Sequence, residues 1–255
     1  MPSILIIGAN RGLGASLTKL YAASGWSVYG TTRSQDTPDG FPEAVNWITS
    51  TDLMQSNVGS VLAAHLKSST TNPLDLVIIS AGVFTIEDFK DGPKWDDEIR
   101  MYTTSSVAPV FIIHQLAKES LLRKGSKVVL ISSEAGSIAL RTGAEGNYAH
   151  HGSKAALNMV GKLLAHDLND EGIVVSLVHP GFMRTEMTRG VGFDKFWDQF
   201  HAVTPDEAAK SLMTWADQLD ISKSGQYWAP RGAKDIGTAE EVMGKDLPTP
   251  LELPW

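Results

Sequence analysis

His150 and Lys154 stand one helical turn apart in the run His150-His151-Gly152-Ser153-Lys154-Ala155-Ala156-Leu157, so an imidazole and an ammonium share one helix face. Imidazole has a reference pKa of about 6.5 and can give or take a proton near neutral pH. A neighbouring ammonium lowers that pKa, which weakens the ring as an acid and suits it as a base. Neighbouring helical residues diverge by about 100°, and no third ligand stands one turn on, so His150 and His151 are not expected to hold a metal. Tyr148 lies about 120° around the helix from Lys154. It is expected as a pocket wall, and as a second candidate acid if the backbone there is irregular.

A second constellation lies in Gly8-Ala9-Asn10-Arg11-Gly12-Leu13-Gly14, directly after the apolar run Ile4-Leu5-Ile6-Ile7. Glycines at 8, 12 and 14 allow a strand to turn sharply into a helix whose amino end can receive a pyrophosphate. At the end of the next apolar run, Val28-Tyr29-Gly30-Thr31-Thr32-Arg33, no acid occurs before Asp36. An acid there would accept hydrogen bonds from ribose hydroxyls, whereas Arg11 and Arg33 suit a 2′-phosphate. NADP is therefore the expected cofactor.

These groups need a scaffold, and the hydrophobic pattern supplies one. Short apolar runs at 4–7, 26–31, 76–79, 128–131 and 174–178 alternate with longer segments of helical period at 13–24, 95–122 and 148–170. Continuous apolar runs suit strands buried on both faces. The expected fold is α/β: a single doubly wound Rossmann domain over residues 1–255, with a parallel sheet of about seven strands and helices on both faces. Residues 182–203 follow the sixth strand, where ligands of such sheets gather. Their aromatics Phe182, Phe193, Phe196, Trp197 and Phe200 form either a substrate lid or an anchored surface loop. The tail 232–255 ends in a proline-rich stretch that cannot be a helix, and it is expected to lie extended across its own subunit or a partner.

The net charge of −7, without any run of Lys or Arg able to follow a phosphate backbone, argues against nucleic acid as a partner. The absence of cysteine excludes disulfides and thiolate chemistry and fits a cytoplasmic protein. Neither a signal peptide nor an apolar run of membrane-spanning length is present, so no membrane partner is expected. A small molecule is the expected substrate.

Together the glycine turn and the Ser-Lys helix resemble the short-chain dehydrogenase/reductase family. Gly-x-Asn-Tyr-x-x-x-x-Ser-Lys and Trp-x-Pro-Arg-Gly at 228–232 are most similar to its C-factor and sniffer-like carbonyl reductases. The resemblance implies that Ser133 holds the substrate oxygen and that Lys154 binds the nicotinamide ribose. It implies that Asp52 and Leu53 lie near the adenine, that Ala81 and Gly82 continue the nucleotide site, and that Pro180, Gly181 and Thr185 approach the nicotinamide. Two positions depart from the family. His150 stands in the slot of the catalytic tyrosine, and Ser105 in that of the relay asparagine.

Three readings compete. An NADP-dependent oxidoreductase would reduce a carbonyl or imine on a largely apolar molecule, with His150 or Tyr148 handling the proton. A non-redox isomerase, dehydratase or cyclase would use His150 for proton transfer alone, and a third possibility is an inactive NADP sensor. The resemblance also implies a homodimer or homotetramer paired through 95–122 and 148–170. Met101, Val107, Phe111, Leu157, Val160 and Leu164 would serve either the core or that interface.

Overall fold

The computed structural model describes residues 1–70, 72–143 and 146–255. Seven strands lie parallel: β1 (Ser3–Ile7), β2 (Ser27–Thr31), β3 (Asn46–Ile48), β4 (Leu76–Ile79), β5 (Lys127–Ile131), β6 (Val174–Val178) and β7 (Tyr227–Ala229). An eighth, β8 (Leu251–Glu252), pairs antiparallel with β7, and the sheet order is β3-β2-β1-β4-β5-β6-β7-β8. Order reverses between β1 and β4, which opens a crevice at their carboxyl ends. All five apolar runs became strands. β3 and β7, at three residues each, are too short to show as periodic runs.

The parallel strands are buried on both faces because helices cover both. Helices α1 (Gly12–Ala23) and α7 (Pro205–Gln218) pack on one face; α2 (Val58–Ser69), α4 (Ala108–Lys118) and α5 (Tyr148–Asp167) cover the other. In α1 the buried residues Leu13, Leu17 and Tyr21 recur every four positions and form the stripe that meets β1 and β2.

Two expectations are corrected here. Segment 95–122 is three pieces: α3 (Trp95–Tyr102), a π turn over Thr103–Val107, and α4, which ends at Lys118. Pro109 at the start of α4 cannot donate a backbone hydrogen bond, so the wider turn falls where the regular ladder is already interrupted. The tail is not extended throughout. It contains a short helix, α8 (Ala239–Met243), before residues 251–252 join the sheet as β8.

The apolar helix residues also separate. Met101, Leu157 and Leu164 are buried in the subunit, Val160 packs partly against the core, and Val107 and Phe111 are exposed.

Candidate active site

At the carboxyl edge of the sheet, a cavity of about 920 Å³ runs from the glycine turn to the aromatic segment after β6. Gly8 has φ +83°, and a Cβ there would come within 2.8 Å of the Ala81 backbone. Gly14 faces away from the cavity; a Cβ on it would lie 2.0 Å from the Gly8 carbonyl oxygen. The two glycines therefore let strand, turn and helix close on one another. Arg11 is the N-cap residue of α1 and makes no side-chain cap, so the first amides of that helix remain donors toward the cavity wall at Gly12 and Leu13.

Asn10, Arg11, Arg33, Asp52, Leu53, Ala81, Gly82, Pro180, Gly181 and Thr185 all line the same cavity. Arg11 and Arg33 are exposed and form no ion pair among the described residues. Asp52 accepts the Met54 N–H at 3.0 Å, which orders the turn after β3. The donor set fits a dinucleotide with a 2′-phosphate: a cradle open only to glycine, uncapped helix amides, and two unpaired guanidinium groups.

Ser133, His150 and Lys154 all line this cavity. Ser133 follows β5; its Oγ accepts the Ala135 N–H at 3.2 Å, which leaves its own hydrogen to donate. The Lys154 ammonium is buried and donates to the Ile131 carbonyl oxygen at 2.8 Å. Burial lowers its pKa to about 8. His150 packs against Phe84, ring centroids 4.3 Å apart, and its buried Nδ1 has no hydrogen-bond partner among the described residues. Burial first, then the charges of Lys154, His151 and Arg141, push its pKa down to about 3. The ring is therefore neutral throughout the physiological range.

Two candidates lie elsewhere. Tyr148 is exposed, sets its ring 6.3 Å from that of Phe89, and does not line the cavity, contrary to its expected place as a pocket wall. The helix begins at Tyr148 with regular spacing, so the calculated angular offset holds. Ser105 sits buried in the π turn, its hydroxyl without a hydrogen-bond partner, and also does not line the cavity.

Several contributors had no sequence signal. Buried Glu87 accepts the Ala149 N–H at 2.7 Å and so caps the start of α5, where Asn147 is left-handed at φ 54°. Glu134, next to Ser133, pairs with Arg141, and both face the cavity. His179 donates from Nε2 to Asp235 at 2.9 Å. Burial opposes a charge on His179, the Asp235 carboxylate outweighs it and raises the pKa, and the same contact holds Asp235 below the usual carboxylate range.

In the aromatic segment, Phe182, Phe193, Phe196 and Phe200 line the cavity. Trp197 does not; its Nε1 donates to Thr188 at 3.2 Å, and Arg184 and Arg189 lie over its ring. The segment is tied down at its ends by the bridge between Met183 and Val203.

A doubly wound sheet with a glycine turn and a serine-lysine pair in one crevice defines a dinucleotide-binding protein of the dehydrogenase type. Residues 2–195 match the family described as short chain dehydrogenase, and the chain belongs to it. It is 30% identical over 230 residues to 1-hydroxy-2-glutathionyl-2-methyl-3-butene dehydrogenase of Rhodococcus sp. (strain AD45), covering 89% of this chain and 96% of that one. It is 34% identical over 175 residues to C-signal of Myxococcus xanthus, covering 68% and 98%. Among solved structures, carbonyl reductase Sniffer of D. melanogaster superposes with a TM-score of 0.77 at 22% identity, covering all of both chains. NADPH-bound carbonyl reductase from chicken fatty liver gives 0.75 at 22% identity, covering 100% and 94%. The expected kinship with C-factor thus stands on the likeness to C-signal, and Sniffer shares the fold. No helix among the described residues is long and apolar enough to cross a membrane.

Proposed function

We propose that this chain is an NADP-dependent oxidoreductase that reduces a carbonyl or imine on a largely apolar small molecule. The observation that carries this reading is the convergence of Ser133, His150 and Lys154 on the cavity that the glycine turn opens into. Gly8, Asn10, Gly12 and Leu13 would cradle the pyrophosphate, with Gly14 packing helix against turn. Arg11 and Arg33 would take the 2′-phosphate, Asp52 and Leu53 the adenine, and Ala81 and Gly82 the adjoining ribose. Pro180, Gly181 and Thr185 would flank the nicotinamide, and Lys154 its ribose. NADPH, when bound, supplies hydride to the substrate carbon.

The chain's own residues manage the oxygen and the proton. Ser133 donates its hydroxyl hydrogen to the substrate oxygen. His150, neutral because it is buried, polarises the same oxygen through a ring N–H; a neutral imidazole needs no charge to do this. The alkoxide that forms takes the His150 ring proton while the Lys154 ammonium, with a pKa near the working pH, returns one to the ring and is left as a neutral amine that solvent reprotonates. Phe84, Phe193, Phe196 and Phe200 surround the site with apolar surface, which supports an apolar substrate and residues 182–203 as its lid.

The test is a fluorescence titration with NADPH and NADH, then nicotinamide absorbance with a panel of ketones, aldehydes and imines. Tight NADPH binding is expected, with turnover that falls about 10²–10³-fold in His150→Ala. Product formed without nicotinamide oxidation would replace this reading with an isomerase, dehydratase or cyclase. Binding without any conversion would replace it with an NADP sensor.

Pairing of subunits through α4 and α5 belongs to the same reading. Val107 (46% exposed), Phe111 (52%), Met159 (61%) and Leu163 (54%) lie open on those helices or beside them, and an apolar patch of this kind suits a second copy of the chain. A cytoplasmic homodimer or homotetramer is the assembly we expect.

A further inference from the structure

The carbonyl of Ser133 and the N–H of Glu134 belong to one peptide unit, and both are held by side chains far along the chain, one in β7 and one just after β6. The Tyr227 hydroxyl donates to the Ser133 carbonyl oxygen. The Glu134 N–H donates to Nδ1 of His179 at 3.0 Å. A peptide is planar, so holding it at both ends fixes the backbone that follows Ser133 and with it the direction of the Ser133 Cα–Cβ bond; the Ala135 N–H, bonded to Oγ at 3.2 Å, then sets the rotamer. Ser133 is held at φ −155° and ψ 149°, with its Oγ on the cavity wall.

Each grip is secured in turn. His179 donates from Nε2 to Asp235, which also accepts the Phe182 N–H, and the His179 and Asp235 side chains are only 6% and 5% exposed. Accepting at Nδ1 while donating at Nε2 requires the neutral ring, so the grip on the Glu134 N–H belongs to that form, and the protonation that Asp235 favours at lower pH would set two donors face to face and release it. Tyr227 is fully buried, and its ring stacks on that of Trp255 at 5.8 Å. The Trp255 carbonyl accepts the Ala139 N–H at 3.0 Å, and the Leu253 N–H donates to the Tyr227 carbonyl at 2.7 Å.

We propose that His179 and Tyr227 are positioning residues for Ser133, and that Asp235 and Trp255 set them, so that the 232–255 tail directs the reactive hydroxyl. The proposal rests on the reading of Ser133 as the residue that holds the substrate oxygen. A tail needed only to protect the sheet edge would pair with β7, as β8 does. It would not need to reach both ends of the peptide that carries Ser133.

Amide exchange on the full-length, 15N-labelled protein tests the clamp without any substrate. In His179→Ala the Glu134 amide should exchange about tenfold faster or more. His179→Gln should restore it, because one carboxamide can accept the Glu134 N–H and donate to Asp235. Tyr227→Phe, which removes a single oxygen, carries the same comparison if His179→Ala does not fold. NADPH affinity should stay within about twofold in Tyr227→Phe, since Tyr227 does not line the cavity. With an aromatic aldehyde as probe, kcat should fall about tenfold or more in His179→Ala and Tyr227→Phe and recover in His179→Gln. Unchanged Glu134 exchange in His179→Ala overturns the clamp. So does an unchanged kcat in both variants while Ser133→Ala loses activity. If Ser133→Ala is as active as wild type, or wild type reduces no aldehyde, the reading of Ser133 falls, and the exchange rates alone decide the clamp.

Discussion

The Lys154 ammonium lies 2.8 Å from the Ile131 carbonyl oxygen, and that carbonyl is its only hydrogen-bond partner among the described residues. Among the described residues no carboxylate offsets its burial, and burial lowers its pKa from 10.5 to about 8. Between about 8 and 10.5 the unfolded chain binds a proton that the folded one does not, so stability rises with pH through that window and is lost again as pH falls through 8. At pH 7 the buried charge costs roughly 3 kcal/mol, against about 1–2 kcal/mol for orphaning the carbonyl in a variant. Lys154→Met should therefore be roughly 1–2 kcal/mol more stable than wild type at pH 7 and lose that advantage by about pH 10. Calorimetry at the two pH values checks it; a variant less stable at pH 7 would contradict the assignment.

His150 has the same sign of shift in a different window. Its folded pKa is about 3 against 6.5 unfolded, so its contribution to stability is complete above 6.5 and drains away as pH falls toward 3. His150→Phe, which keeps an aromatic ring against Phe84, removes that titration. Urea unfolding at pH 7 and pH 5 should show wild type losing roughly 1–2 kcal/mol more than the variant. Equal losses would mean that the imidazole is hydrated in solution.

Cofactor choice should be reversible by charge. Arg33→Asp replaces a cation on the cavity wall with an acid at the end of β2. NADPH affinity should drop roughly 10–100-fold, the range expected for one charge-assisted contact, while NADH affinity rises. Fluorescence titration with both nucleotides reads this directly, and an unaltered preference would remove Arg33 from the 2′-phosphate site.

Phe111→Glu places a charge in the exposed apolar patch of α4. Sedimentation should show the wild-type oligomer and a monomeric variant with unchanged helical signal. An oligomer that survives the substitution would put the interface elsewhere.

Much of the fold was legible because both periodicities were strong. Five largely apolar runs require two covered faces, and the glycines at 8, 12 and 14 mark where the first strand turns. The convergence of Ser133, His150 and Lys154 was legible because two of them lie one turn apart on α5. The hidden features depend on residues far apart in the chain. Nothing near position 235 predicts that its carboxylate meets His179, 56 residues away. Nothing near Glu87 signals that its carboxylate accepts the Ala149 N–H, 62 residues on. The 120° offset of Tyr148 from Lys154 was legible too, but not that this bearing faces solvent rather than the cavity wall.

A π turn holds one residue more than the helical turn it replaces, which rotates the upstream helix by about 100° relative to the downstream one. Residues 103–107 thus act as a phase adapter. They let α4 keep Ile112, Ile113 and Leu116 against the sheet while Arg100, on the earlier side, and Thr104, within the turn, face the cavity. Loss of a single residue there would leave both helices well formed and swing Arg100 to another bearing. The shape of that wall is written in residue count, and a substitution that respects every side chain could still not reproduce it.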